Sequence, residues 1–290
     1  HQYKRDTSGT ADPFDVMLIA YYNGCPDTIV LADLITVKGP IPNFSIQYNC
    51  ANPFSVGFTN LSGGATSYIW DFGDTTATST ATDPTHVYNY RGDYVVTLTA
   101  TSTVSGCTID TVYTVQIRDP LAQITTDTNV VCRPGTINFS GFGSTDAYLH
   151  EWNFGEGLPW VLDTSYYRDT LHLYTGTGFY DVKYIITDIH GCKDSTTKQV
   201  HILGPTAGFS ASPFTACAPM TVTFTDSSKT EGSAISQWIW NYGSTVRTIT
   251  TPPGTDTLTY SIPGNYTVTL TVIDANGCSQ PVNFSIVNPP

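Results

Sequence analysis

Tyr266, Val268, Leu270 and Val272 alternate with Thr267, Thr269 and Thr271. A period of two predicts an antiparallel strand with one face on a core and the other in water. Aromatic-and-valine alternation of this kind leads into Gly-Cys four times. The stretches begin at Phe14, Tyr94, Tyr180 and Tyr266 and end at Cys25, Cys107, Cys192 and Cys278, cysteines spaced 82, 85 and 86 residues apart. A second set, Cys50, Cys132 and Cys217, keeps steps of 82 and 85. Each of these precedes a further short β pattern: Val56-Gly57-Phe58, Ile137-Asn138-Phe139 and Val222-Thr223-Phe224. Proline closes each unit at Pro40, Pro120, Pro205 and Pro289.

Three independent periods agree, so the chain is one supersecondary unit repeated. The units run 1–40, 41–120, 121–205 and 206–290. His1-Gln2-Tyr3 aligns with His86-Val87-Tyr88, which lies midway through the next unit. Residues 1–40 are therefore expected to be the second half of a module. A half sandwich leaves its apolar face uncovered, which implies a segment of something longer.

Composition narrows the function. Acids outnumber bases by 24 to 12, for a net charge of -12 with no basic run. This argues against nucleic acid or an anionic membrane as partner. No apolar stretch approaches the roughly 18 residues of a membrane span. Three Glu against 21 Asp, with 24 Gly, 18 Pro and 18 Tyr, disfavour helices and favour strands and turns.

A second strand in each unit carries tryptophan: Tyr68, Trp70 and Phe72; His150, Trp152 and Phe154; Trp238, Trp240 and Tyr242. About seven short strands in 80–85 residues indicate a two-sheet, immunoglobulin-like β-sandwich. The run Tyr68-Ile69-Trp70-Asp71-Phe72-Gly73-Asp74, then Asp83-Pro84-Thr85-His86-Val87-Tyr88, then Gly92-Asp93-Tyr94-Val95-Val96-Thr97-Leu98 resembles the polycystic-kidney-disease (PKD) domain. The cysteine-bearing variant is similar to modules in long surface proteins of gliding bacteria that use type IX secretion. The resemblance implies an all-β chain of tandem sandwiches forming an elongated rod. The other two full units depart at the signature turn, with Asn153 and Glu156, then Asn241 and Ser244.

Asp71 and Asp74 are paired carboxylates and weak calcium candidates. Their replacement in the sister units by Asn, Glu and Ser favours a turn whose side chains bond the backbone. Neither His-Glu-x-x-His nor Cys-x-x-Cys occurs among the six histidines and seven cysteines, so zinc is unsupported. No Gly-x-Ser-x-Gly elbow occurs. No catalytic residue and no cofactor are therefore expected. Arg91-Gly92-Asp93 occupies the turn that reads Pro263-Gly264-Asn265 in the last unit, a geometric role for Gly92. Trp160, with Tyr166 and Tyr167, is a candidate for stacking on a sugar ring, against a reading as local packing.

A regular cysteine framework in a secreted-type chain means disulfides. Within units the pairs would be Cys50–Cys107, Cys132–Cys192 and Cys217–Cys278. In a sandwich of this type, however, the first cysteine lies at the end where the chain exits and the second where it enters. A strand of eight residues separates those ends by about 27 Å, whereas disulfide Cα atoms lie within about 7 Å. Units stacked end to end would instead bring Cys50 to Cys192 and Cys132 to Cys278. Strand direction favours this cross-junction scheme.

The resembled bacteria O-glycosylate Asp-Ser/Thr followed by a small aliphatic residue or Thr. That implies candidate sites at Thr28, Thr75, Thr111, Thr170, Ser195 and Thr257. Together these features predict a non-catalytic extracellular spacer in a long cell-surface adhesin or filament. Its partners would be neighbouring modules of the same chain, with surface glycans or other surface proteins beyond them. The rival readings are a carbohydrate-binding accessory region of a secreted hydrolase, and a filament subunit completed by a strand from another chain.

Overall fold

The computed structural model describes residues 13–36, 39–157, 168–230 and 232–289, with no helix among them. The described chain divides into two compact units. One comprises the residues through Asp119 together with His190–Cys192, and the other comprises Pro120–Ile189 with Lys193 onward.

In the first unit, Pro13–Tyr22 pairs antiparallel with Cys25–Thr36. The two-residue turn between them places Asn23 and Gly24 at φ 48° and 84°, the left-handed pair that a tight hairpin requires. Leu18 pairs with Ile29 and Val16 with Leu31, and Leu18, Ile29 and Leu31 are exposed. The alignment of His1–Tyr3 with the next unit lies outside the described residues.

Residues 41–120 form a two-sheet sandwich. One sheet orders Phe44–Gln47, Ser55–Asn60 and Thr85–Val87; the other orders Ser67–Asp71, Gly92–Ser102 and Cys107–Ile117. Trp70, Val56, Val96, Leu98, Val115 and Ile117 are fully buried between them. The alternation along Gly92–Ser102 is what turns Val96, Leu98 and Ala100 inward.

The second unit contains two such sandwiches, each with its own core. Around Trp152, the sheet of Val130–Cys132, Lys193–Leu203, Gly178–Thr187 and Leu149–Asn153 faces that of Asp169–Tyr174, Gly135–Ser140 and Thr125–Thr126. Around Trp240, Val246–Ile249, Ile235–Asn241, Gly264–Asp274 and Ser279–Asn288 face Phe209–Ser212, Met220–Asp226 and Thr255–Tyr260. Each core tryptophan pairs across its sheet with the long central strand, at Leu98, Tyr184 and Leu270. Burying one such indole is worth several kcal/mol by area.

Val130–Cys132 runs parallel to His201–Leu203, an added edge strand that alternation alone does not predict. Residues 206–290 repeat it as a single parallel bridge from Thr215 to Val287.

Candidate functional site

Three places in each sandwich concentrate chemistry-bearing side chains: the signature turn after the core tryptophan, the Gly-Cys turn, and the cysteine preceding the second sheet strand.

In the signature turn, Asp71 Oδ1 accepts the Gly73 N–H at 2.9 Å. Gly73 has φ +76°, and a Cβ there would meet the Val95 carbonyl oxygen at 2.4 Å. The turn is thus pressed against the backbone of the central strand. Asn153 accepts from Gly155 at 2.9 Å and Asn241 from Gly243 at 3.0 Å. An amide oxygen therefore replaces the carboxylate without loss of the bond. The position requires an acceptor rather than a charge.

Asp74 Oδ1 accepts from the Thr76 N–H and hydroxyl at 3.2 and 2.5 Å, and Oδ2 lies 2.8 Å from His86 Nε2. His86 stacks on Phe72 at 4.0 Å and meets the edge of Tyr88, whose hydroxyl donates to the Phe72 carbonyl at 3.3 Å. In the next sandwich Glu156 lies 3.0 Å from His172, which stacks on Phe154 at 3.9 Å. In the last one the constellation changes. Tyr242 donates to Asp256, which also receives Arg247 Nη1 at 2.8 Å. Burial pushes the Tyr88 and Tyr174 phenols well above the ordinary range and that of Tyr260 up to about 12, as for core groups.

Asp71 and Asp74, the weak calcium candidates, therefore each hold a turn. Among the described residues no group of three or more His, Cys, Asp or Glu side chains is placed to share a metal ion. His86 and His172 pack against Tyr88 and Tyr174, and their acid partners were not apparent from spacing. Another recurrent feature was missed. Tyr94 donates to the Tyr90 carbonyl at 2.9 Å and Tyr266 to that of Ile262 at 2.8 Å, a tyrosine corner where the chain enters the central strand. The signal was the equal spacing of Tyr94, Tyr180 and Tyr266.

Cysteine chemistry is the second site. Cys50 is bonded to Cys192 with Cα atoms 5.1 Å apart, and Cys132 to Cys278 at 5.3 Å. The within-unit pairs Cys50–Cys107, Cys132–Cys192 and Cys217–Cys278 are not formed, and Cys25, Cys107 and Cys217 are thiols. His190, two residues before Cys192, stacks on Tyr48 at 3.5 Å and donates Nε2–H to the Gln116 carbonyl at 2.7 Å. Those contacts explain why His190–Cys192 belongs to the first compact unit. At the other crosslink, Asp274 Oδ1 accepts the N–H groups of Asn276 and Cys278, both at 2.9 Å. Beside Cys132, Arg133 Nη2 donates to the Pro205 carbonyl at 2.7 Å and to Thr206 at 3.1 Å. The Gly-Cys turns place Gly24, Gly106, Gly191 and Gly277 at φ between 71° and 86°.

Of the six glycosylation candidates, Thr28, Thr75, Ser195 and Thr257 are exposed while Thr111 and Thr170 are half-buried. Besides Asp74, whose bonds to Thr76 and His86 are given above, three of the preceding aspartates have structural bonds. Asp194 accepts the Ala122 N–H at 2.7 Å, Asp169 the Ser140 hydroxyl at 2.5 Å, and Asp256 the bonds given above. Asp93 of the Arg91-Gly92-Asp93 tripeptide is paired with Arg118 at 2.6 Å. Trp160, Tyr166 and Tyr167 lie outside the described residues.

A family model described as PKD domain matches residues 40–117, 118–203 and 204–286. A microbial collagenase of Vibrio alginolyticus is 37% identical over 95 residues, which are 33% of this chain and 10% of that protein. Collagenase ColA of Bacillus cereus is 42% identical over 69 residues, 23% of this chain and 7% of the collagenase. The chain thus spans a tenth or less of the length of these curated relatives. Among solved structures, the PKD1 domain of the Vibrio cholerae metalloprotease PrtV is 25% identical. That match covers 30% of this chain and 100% of the domain at a TM-score of 0.26.

Proposed function

The chain belongs to the PKD domain family, and on that premise we propose that it is a non-catalytic structural spacer of an extracellular protein. One observation carries the reading: Cys50 and Cys132 are each bonded to the Gly-Cys turn of the following module. A crosslink within a module would stabilise that module alone. A crosslink between successive modules removes conformational freedom from the connection, and this is the property a spacer needs. Closing loops of 142 and 146 residues constrains the unfolded chain by about 5 kcal/mol each in the chain-entropy account. Persistent disulfides argue for an oxidising compartment outside the cytoplasm. An acidic surface with few bases keeps such a spacer soluble. The finer assignment, a long cell-surface adhesin or filament secreted by the type IX route, rests on the resemblance of the cysteine-bearing repeat to modules of such surface proteins.

The test is a replacement. Residues 41–290 are exchanged, within the full-length polypeptide, for three unrelated sandwich modules. A spacer tolerates the exchange, with attachment or adhesion retained. Loss of that function, with the polypeptide still displayed, would overturn the reading.

The two collagenase relatives favour a second reading, an accessory region of a secreted hydrolase. Retention of the isolated chain on collagen or polysaccharide, abolished by Trp160→Ala, would move the assignment there.

A further inference from the structure

Cys217 occupies in the last module the place that Cys50 and Cys132 occupy in the two before it, yet it is an exposed thiol. The equivalence is one of backbone as well as sequence. His201 donates its N–H to the Asn129 carbonyl at 2.8 Å, three residues before Cys132. Val287 donates to the Phe214 carbonyl at 3.0 Å, three residues before Cys217. The parallel pairs that follow, Val130 with His201 and Thr215 with Val287, match in the same way. The segment bearing Cys217 is therefore held against the last strand of its sandwich as the segment bearing Cys132 is.

We propose that Cys217 is the attachment site for a further module of the same type, through a disulfide to the cysteine of that module's Gly-Cys turn. Both equivalent cysteines already make this bond, each to the module that follows. The Gly-Cys turn of its own module is taken, because Cys278 is bonded to Cys132. The surface around the thiol suits burial. Phe214 is 58% exposed, Val287 43% and Ile262 71%. All three lie at one end of the sandwich, since Ile262 is in the turn before Gly264, which pairs with Asn288. Apolar side chains so grouped are covered when a partner docks. At the observed crosslink of the first unit, Tyr48 plays this covering part by stacking on His190, two residues before the partner cysteine.

The partner's chemistry follows from the two turns already engaged. It is a left-handed glycine followed by cysteine, with a buried aspartate four residues before the cysteine, as in Asp188-Ile189-His190-Gly191-Cys192 and Asp274-Ala275-Asn276-Gly277-Cys278. Carrying the observed separations of 142 and 146 residues forward from Cys217 puts the partner cysteine about 70 residues past Pro290. Bond formation is a two-electron oxidation by exchange. The Cys217 thiolate attacks a donor disulfide, a protein oxidoreductase or glutathione disulfide, and the partner thiolate then displaces the donor. One protein disulfide forms, one donor disulfide breaks, and the two protons end on the donor's two thiols.

The inference rests on the reading of the region as linked successive modules, but fails separately from it. A Cys217 thiol in the mature protein would remove the inference and leave the replacement test of the spacer untouched. The experiment takes the native polypeptide from its source, blocks thiols with an alkylating agent at lysis, and maps peptides without reduction. The expected result is a Cys217 peptide joined to a Gly-Cys peptide from beyond residue 290, in material of monomer mobility on a non-reducing gel. Alkylated or glutathione-capped Cys217, a bond to Cys25 or Cys107, or a bond to a separate polypeptide would each overturn it. A second measurement uses Cys217→Ser in the same polypeptide. One Gly-Cys peptide should become alkylatable at one equivalent per chain, and its absence would also overturn the proposal.

Discussion

Asp74 Oδ2 sits 2.8 Å from His86 Nε2, with both side chains largely withdrawn from water and the imidazole stacked on Phe72. Burial alone would raise the Asp74 carboxyl, but hydrogen bonds from Thr76 and His86 outweigh it and hold the group below its ordinary value. A carboxyl with a lower pKa in the folded state stabilises the fold above the unfolded pKa and loses that contribution as pH falls through the folded value. The sensitive window is therefore acidic, below about pH 4. Asp74→Asn should cost about 1–2 kcal/mol at pH 7, with the gap to wild type shrinking toward pH 3. Urea unfolding at the two pH values checks this; an equal gap at both would contradict it.

Position 71 should behave differently. Asn153 and Asn241 already make the bond that Asp71 makes to Gly73. Asp71→Asn should therefore shift stability by less than about 0.5 kcal/mol, whereas Asp71→Ala, which removes the acceptor, should cost about 1 kcal/mol. Thermal unfolding of the pair separates a need for an oxygen from a need for a charge.

Glycines at positive φ offer a third contrast. Gly73 and Gly277 have φ values of +76° and +85°, but only Gly73 has backbone within reach of a new Cβ, at 2.4 Å. Gly277→Ala should cost about 1–2 kcal/mol from backbone strain alone. Gly73→Ala should cost clearly more, about 3 kcal/mol or above, because the central strand at Val95 must move. Chemical denaturation midpoints of the two variants give the order directly.

Removing the Cys132–Cys278 bond by the double substitution Cys132→Ser and Cys278→Ser should leave the β-sheet circular dichroism spectrum unchanged, since Trp152 and Trp240 head separate cores. The loss should appear in the unfolding midpoint, by up to about 5 kcal/mol. A collapse of the spectrum would mean that the cores depend on the crosslink.

Much of this was legible in the sequence, for a physical reason. Val268, Leu270 and Val272 are fully buried where the two-residue period put them, because a sheet face is a local property of the chain. The Trp70, Trp152 and Trp240 cores were legible from the repeat. The pairing of Asp74 with His86 and of Glu156 with His172 was not. Those contacts join two sheets across a turn, and no period links residues brought together by sheet packing. The parallel strand Val130–Cys132 was missed for a related reason, since three residues carry too little alternation to mark a strand. The acids of the signature turn looked like ligands, but Asn153 and Asn241 in the sister modules already pointed to a backbone acceptor.

Cys50 precedes the linker at Pro120 and Cys192 follows it, while Cys132 and Cys278 lie on either side of the linker at Pro205. A protease that nicks the main chain at either linker would therefore release nothing. Each cut is bypassed by sulfur, and only nicking combined with a reductant parts the fragments. Where hydrolytic attack is common and reductants are scarce, parting the chain at either of these two linkers takes two different insults at once.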